Sequence, residues 1–188
     1  MTVSKEDLRK ELLAKRQSIK QEEAKSASVA IAGFLSDIIP QASIVSGYQA
    51  IRGEVNLDDL LDELKDRGVK VTLPVVSDNS QILRFLEYSE KQELIIGKFR
   101  VLQPKDSAKE LAPDIVICPM VGFDGNGNRL GYGGGYYDTT IKELRKENKN
   151  LLVVGVAYEA QRIDSIAIHN GDESMDIVVT EKKVLKFA

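Results

Sequence analysis

The chain has 188 residues, 43% of them hydrophobic and 29% charged, with a formal net charge of −3. That is an ordinary globular composition at a length that suits a single domain spanning 1–188. One cysteine and one histidine exclude an internal disulfide, a multi-cysteine zinc or iron–sulfur site and a two-histidine metal site within one chain. The acidic balance lacks the basic excess with which general nucleic-acid binders replace counterions along phosphates. The first residues carry no apolar stretch of the signal-peptide kind, and no apolar run reaches about 18 residues. A cytoplasmic protein with neither a nucleic-acid nor a membrane partner is therefore expected.

Residues 4–20 have helical spacing, with Ser4 as N-cap, Glu6 and Asp7 in the first turn, and Leu8, Leu12, Leu13 and Ile19 as apolar positions. A second helix is expected from about residue 21 to 39, ending before Pro40. Residues 43–48 suit a strand. Residues 56–67 suit a helix with Leu57, Leu60, Leu61 and Leu64 on one face and Gly68 as its stop. Strands are expected at 69–76 and 82–88, with a short extended piece at 97–101. Residues 114–121 form a near-continuous apolar run, as a buried parallel strand does. A helix follows at about 136–148, then strands at 151–157 and 176–180. Alternation of strands and helices predicts an α/β fold, a mostly parallel central sheet flanked by helices in three α/β/α layers. Ligands in such folds bind beyond the C-terminal ends of the strands.

The glycines are unevenly spread. Half of the 14 fall between residues 122 and 135: Gly122, Gly125, Gly127, Gly131, Gly133, Gly134 and Gly135. They occupy a predicted strand-to-helix junction that also holds Arg129, Leu130, Tyr132, Tyr136, Tyr137 and Asp138. Glycine tolerates positive φ and close approach of a ligand to the backbone. Successive amides in such a turn, with a helix N-terminus behind them, can bind an anion. Arg129 adds a phosphate-binding cation, and Asp138 a hard oxygen ligand suited to Mg²⁺ beside a nucleotide. The spacing fits neither a Walker A loop nor the dinucleotide-binding fingerprint.

Phe123-Asp124, then Gly127-x-Arg129-Leu-Gly-Tyr-Gly-Gly-Gly-Tyr-Tyr-Asp138, resembles the signature of the 5-formyltetrahydrofolate cyclo-ligase family. The resemblance extends over nearly the whole chain. It includes Lys5-x-x-Leu8-Arg9 with Arg16, Gly53-Glu54-Val55, Gly155-Val-Ala-Tyr-Glu159-Ala-Gln161, and Asp172-x-x-Met175-Asp176-Ile-Val-Val-Thr180-Glu181. It implies an ATP- and Mg²⁺-dependent ring closure of 5-formyltetrahydrofolate to 5,10-methenyltetrahydrofolate, with release of ADP and phosphate. Such phosphoryl transfer needs positioning and charge neutralisation more than a protein nucleophile. The scarcity of histidine and cysteine is compatible with it.

The resemblance implies catalytic roles for Arg129 and Asp138 and a metal pair of Asp138 with Asp176. ATP would meet Lys5, Arg9, Arg16, Arg129, Leu130, Gly131, Tyr132, Gly133, Gly134, Gly135, Tyr136 and Tyr137. Folate would meet Glu54, Tyr132, Gly133, Gly134, Gly135 and Tyr136. Gln49, just past the same strand as Glu54, matches no motif and is a further candidate for the folate pocket. On a helical wheel Arg9 lies about 40° and Arg16 about 20° from Lys5, so the three cations share one stripe beside the apolar face. Departures from the family pattern occur at Ala167, His169 and Gly171, where Pro, Glu and His are common, and at Thr139, where Arg is common. His169 is expected to be a loop residue and Cys118 a buried, inert thiol. A monomer is expected. Competing expectations are a nucleotide-binding regulatory module that has lost the chemistry, or another α/β enzyme such as a sugar-phosphate isomerase or a CoA transferase.

Overall fold

A computed structural model describes residues 4–89 and 94–187. Helices α1 (Lys5–Gln17) and α2 (Gln21–Ile38) precede strand β1 (Ile44–Ser46), helix α3 (Asp58–Asp66) and strands β2 (Lys70–Val76) and β3 (Leu83–Glu87). Two small ribbons follow, β4 (Ile95–Ile96) with β5 (Leu102–Gln103), and, after β6 (Ile115–Pro119), β7 (Gly122–Phe123) with β8 (Arg129–Leu130). Helix α4 (Tyr136–Glu147), β9 (Leu152–Val156), β10 (Ile177–Val179) and β11 (Val184–Lys186) complete the chain.

The main sheet has seven strands in the order β11-β10-β9-β6-β1-β2-β3. The five inner strands are parallel, and β3 and β11 are antiparallel edges. Side-chain alternation along the strands sends Ile115, Ile117, Val154, Val156, Ile177 and Val179 to the face covered by α2 and α3, and Val116, Cys118, Val153 and Val178 to the face covered by Ile141 of α4. The fold is thus α/β with helices on both faces, as the apolar runs predict. Chain order runs outward from β1 toward β2 on one side and from β6 toward β9 on the other. The crevice between the C-terminal ends of β1 and β6 is therefore the topological switch point, where open α/β sheets bind ligands.

Helix α1 lies outside these layers. Leu12 packs with Val121, Leu130 and Ile166 in a third cluster beyond the end of β6. Gly122 makes the approach possible, since a Cβ there would meet Leu12 Cδ1 at 2.5 Å.

Two expectations need correction. Residues 97–101 are not simply extended: Lys98–Arg100 form a single 3-10 turn, with Phe99 and Arg100 both at positive φ, which reverses the chain between β4 and β5. Strand β11 has no counterpart among the predicted elements, because three lysine-flanked residues on a sheet edge carry too little pattern. No helix among the described residues is long and apolar enough to cross a membrane.

Candidate active site

The glycine loop leaves β8 beyond the C-terminal end of β6 and runs into α4. Gly133 has φ +98° and Gly135, the N-cap of α4, has φ +70°, both left-handed. Thr140 anchors the helix start: its Oγ1 donates to the Tyr136 carbonyl and accepts from the Leu83 amide. Among the described residues, no protein acceptor meets the amides of Gly133, Gly134, Gly135, Tyr136, Tyr137 or Asp138. Six consecutive N–H groups at a helix N-terminus form a cradle for an anion.

Cations surround this cradle. Arg9 Nε donates to the Gly131 carbonyl at 2.8 Å, and its guanidinium lies about 3.5 Å from where a Gly133 Cβ would stand. Arg129 is 5% exposed at its side chain and bonds to Asp138 Oδ1 at 2.7 Å, stacked 5.5 Å over the Tyr137 ring. Its Nε is buried without a partner. A buried guanidinium donor left free is costly unless something else accepts from it. Lys5 binds Asp172 at 2.7 Å. Burial pushes the Asp172 carboxyl up, but the Lys5 ammonium and the His169 amide outweigh it and hold it below the usual range. The shared stripe of Lys5, Arg9 and Arg16 therefore faces the loops and not solvent.

Arg16 has a different environment from the other two. It is 2% exposed, and its guanidinium donates to the carbonyls of Arg52 and Met120 and to the Tyr132 hydroxyl. It braces the β1–α3 turn against the end of β6, across the switch point. Tyr132 donates in turn to Glu54 Oε1 at 2.6 Å. Glu54 is 8% exposed, and its Oε2 accepts from the Ile51 amide. Burial pushes the Glu54 carboxyl above the usual range, against the opposing pull of Tyr132, Ile51, Arg16 and Arg52. Burial and the adjacent Glu54 push the Tyr132 phenol up to about 12, so it remains a proton donor at neutral pH. The structure thus brings Glu54, Arg16, Tyr132, Arg9, Arg129 and Asp138 to one end of the sheet. Tyr136 sits at the same end, edge-on to Phe99. Gln49 turns away, toward Asp58 at the start of α3.

Asp176 is the residue the structure separates from the rest. Its Oδ2 accepts from the Val153 amide at 2.7 Å, and its Oδ1 from Arg145 at 3.0 Å. Val153 lies in the first half of β9, which places Asp176 at the N-terminal edge of the parallel strands. Arg145 is two turns along α4 from Asp138, about 10 Å of helix axis. Asp138 and Asp176 therefore do not form a pair. The acid that the structure brings toward Asp138 is Asp172: the amide of the next residue, Glu173, donates to Asp138 Oδ1, and Asp172, Glu173 and Arg129 line one cavity of about 200 Å³. Among the described residues no three His, Cys, Asp or Glu side chains are grouped to hold a metal unaided. Asp138 Oδ2 and Asp172 are hard oxygen donors of the kind that supplement phosphate oxygens around Mg²⁺.

Two positioning residues were not assigned roles from sequence. Asp124 is fully buried and accepts four bonds, from the amides of Asn126, Asn128 and Ile166 and from Asn128 Nδ2, which fixes the turn leading into Arg129. The Asp-Gly-Asn-Gly-Asn run signals the local part of this turn, but not the bond to Ile166. Gln161 donates to the carbonyls of Met120 and Val121 and accepts from the Tyr158 amide, joining the ends of β6 and β9. Burial raises the Cys118 thiol to about 12, in keeping with an inert core residue.

Residues 1–181 match the model of the 5-formyltetrahydrofolate cyclo-ligase family. A 5-formyltetrahydrofolate cyclo-ligase of Escherichia coli is 31% identical over 78% of this chain and 82% of its own length. One from Mycolicibacterium smegmatis is 28% identical over 96% and 95%. A solved structure of the Aquifex aeolicus 5,10-methenyltetrahydrofolate synthetase is 31% identical and superposes with a TM-score of 0.80, over 97% of this chain and 92% of that one. With its signature loop, its switch-point crevice and a family match over residues 1–181, the chain belongs to the 5-formyltetrahydrofolate cyclo-ligase family.

Proposed function

We propose that this protein is the ATP-dependent ligase its family name describes, closing 5-formyltetrahydrofolate to 5,10-methenyltetrahydrofolate. The observation that carries the reading is the row of amides from Gly133 to Asp138 that no acceptor meets among the described residues, flanked by Arg9 and by Arg129, whose Nε has no partner among them either. This is a cradle for a polyphosphate, not a turn whose polar groups are satisfied internally.

In this reading the γ-phosphoryl group of ATP passes to the formyl oxygen on N5. N10 then attacks the activated carbon and loses its proton, and the oxygen departs as phosphate. The protein's part is electrostatic and geometric. The loop amides and Arg9 hold the phosphates. Arg129, aligned by Asp138, neutralises charge developing on the transferred group. Glu54 accepts from the donor-rich edge of the pterin. Mg²⁺ would be held by Asp138 with Asp172 nearby, and when bound it neutralises charge on the phosphates. We also take the protein to be a cytoplasmic monomer, which sedimentation of the purified chain tests.

The deciding experiment mixes the protein with 5-formyltetrahydrofolate and Mg-ATP and follows methenyl absorbance. ATP-dependent product is expected. Nucleotide binding without turnover would refute the ligase and leave a binding module.

A further inference from the structure

Tyr132 belongs to the glycine loop but does not serve the phosphate cradle. Its side chain crosses the crevice to the β1–α3 turn, where the hydroxyl donates to Glu54 Oε1 and accepts from Arg16, each at 2.6 Å. Two guanidinium groups lie over its ring, Arg16 at 5.7 Å and Arg52 at 5.5 Å from the centroid. The exposures are ordered: Tyr132 is 36% exposed and Glu54 only 8%. The tyrosine is the outer cover of the carboxylate. With Ile51 on the other oxygen, both Glu54 oxygens are already engaged. A ligand that presents N–H groups to Glu54 meets an acceptor that the protein is using.

The cover is attached to the glycine loop that carries the cradle. Gly133, where the cradle begins, is the residue next to Tyr132 in sequence and has φ +98°. On the other side, the Gly131 carbonyl is held by Arg9. Any adjustment of the 133–138 amides around a polyphosphate is transmitted to Tyr132 through one peptide bond.

We infer that Tyr132 couples the two substrate sites, its hydroxyl closing Glu54 in the free protein and releasing it to the folate when the glycine loop closes on a polyphosphate. The inference rests on the ligase reading and adds to it an order of events: nucleotide binding prepares the folate site. Tyr132 is then a positioning residue, and the coupling is reciprocal by thermodynamic necessity.

The test is a binding cycle by calorimetry. Dissociation constants for 5-formyltetrahydrofolate are measured with and without Mg²⁺ and a non-hydrolysable ATP analogue, in the wild type and in Tyr132→Phe, which keeps the ring and removes the hydroxyl. In the wild type the analogue is expected to tighten folate binding about 5- to 150-fold, the usual span of such couplings. In Tyr132→Phe, folate binding without nucleotide is expected to be tighter than in the wild type, and the ratio to fall toward one. Tyr132→Leu serves in the same cycle should the phenylalanine variant not fold. Folate binding to the wild type that ignores the analogue, or a variant that keeps the full ratio, overturns the coupling and leaves the ligase standing. A wild type that binds no folate under any condition overturns both.

Discussion

Arg16 separates two accounts of the α1 cation stripe. The family resemblance makes it a ligand of ATP, whereas its surroundings make it a brace. Arg16→Met keeps much of the side-chain length and its apolar stem while removing the guanidinium. The Arg52 carbonyl then loses its donor, the Met120 carbonyl keeps only Gln161, and the Tyr132–Glu54 pair loses its contact with the buried Arg16 guanidinium. Removing one partner from a buried charged network costs about 3–5 kcal/mol, because the remaining groups stay desolvated. For a chain of this size each kcal/mol lowers the melting temperature by about 2–4 °C, so a fall of roughly 6–20 °C is expected. Thermal unfolding followed by circular dichroism measures it, with an ATP-analogue titration of the folded variant at low temperature alongside. A melting temperature within ~2 °C of wild type, together with sharply weakened nucleotide binding, would refute the brace. Arg16→Lys is expected to recover little, since an ammonium cannot span three acceptors set in different directions.

Asp138→Asn should reduce turnover by at least ~10²-fold with the fold intact, because it removes the charge that aligns Arg129 and that would help hold Mg²⁺; steady-state kinetics on a variant with native circular dichroism checks this. Gly133→Ala places a Cβ at φ +98° beside the Arg9 guanidinium, so ATP-analogue affinity should fall, and the backbone strain should lower the melting temperature as well. Asp176→Asn should lower stability, by weakening the Arg145 and Val153 contacts, and leave the Mg²⁺ concentration for half-maximal activity unchanged, whereas Asp172→Asn should raise that concentration. A shifted Mg²⁺ requirement in Asp176→Asn would restore it as a ligand. Glu54 has a folded-state pKa raised chiefly by burial, so its contribution to stability is full at acid pH and is lost as pH rises through that pKa. Denaturant unfolding from pH 4 to 8 should therefore show Glu54→Gln gaining on the wild type as pH increases, and a difference independent of pH would count against the assigned burial.

How legible each feature was in the sequence follows the range of the interactions behind it. Strands β6 and β9 are apolar on both faces, and α3 has its leucines on one face, so local pattern alone located them. The loop from Gly131 to Asp138 was legible for the same reason: positive φ, helix start and exposed amides are properties of consecutive residues. The Lys5–Arg9–Arg16 stripe was correctly drawn, but its direction depends on β6 and the β1–α3 turn, over 30 residues away and more. Asp176 shows the limit most clearly. The sequence pattern places it before a strand, yet whether an acid beside a strand lies at the ligand-binding edge or the opposite one depends on strand direction, and β10 runs parallel to β9 with Asp176 at its beginning. Asp124 and Gln161 escaped because a buried polar side chain is identified by the backbone groups it satisfies, and those lie elsewhere in the chain.

The chain order also accounts for why so few catalytic residue types suffice. A reversal of winding between β1 and β6 opens a crevice into which two loops project from opposite sides. One presents backbone amides and arginines, a surface complementary to phosphate. The other presents a buried carboxylate, a surface complementary to N–H groups. A reaction in which ATP turns the formyl oxygen into a leaving group needs its two substrates aligned across that boundary, and needs water kept from the activated carbon until N10 has attacked. Helix α1 packs beside the crevice through Leu12, on Val121, Leu130 and Ile166, while Arg16 ties the β1–α3 turn to the end of β6. The groups that meet at this end of the sheet are backbone amides and the charges of Arg9, Arg16, Glu54, Arg129 and Asp138, drawn from α1, the β1–α3 turn, β8 and α4.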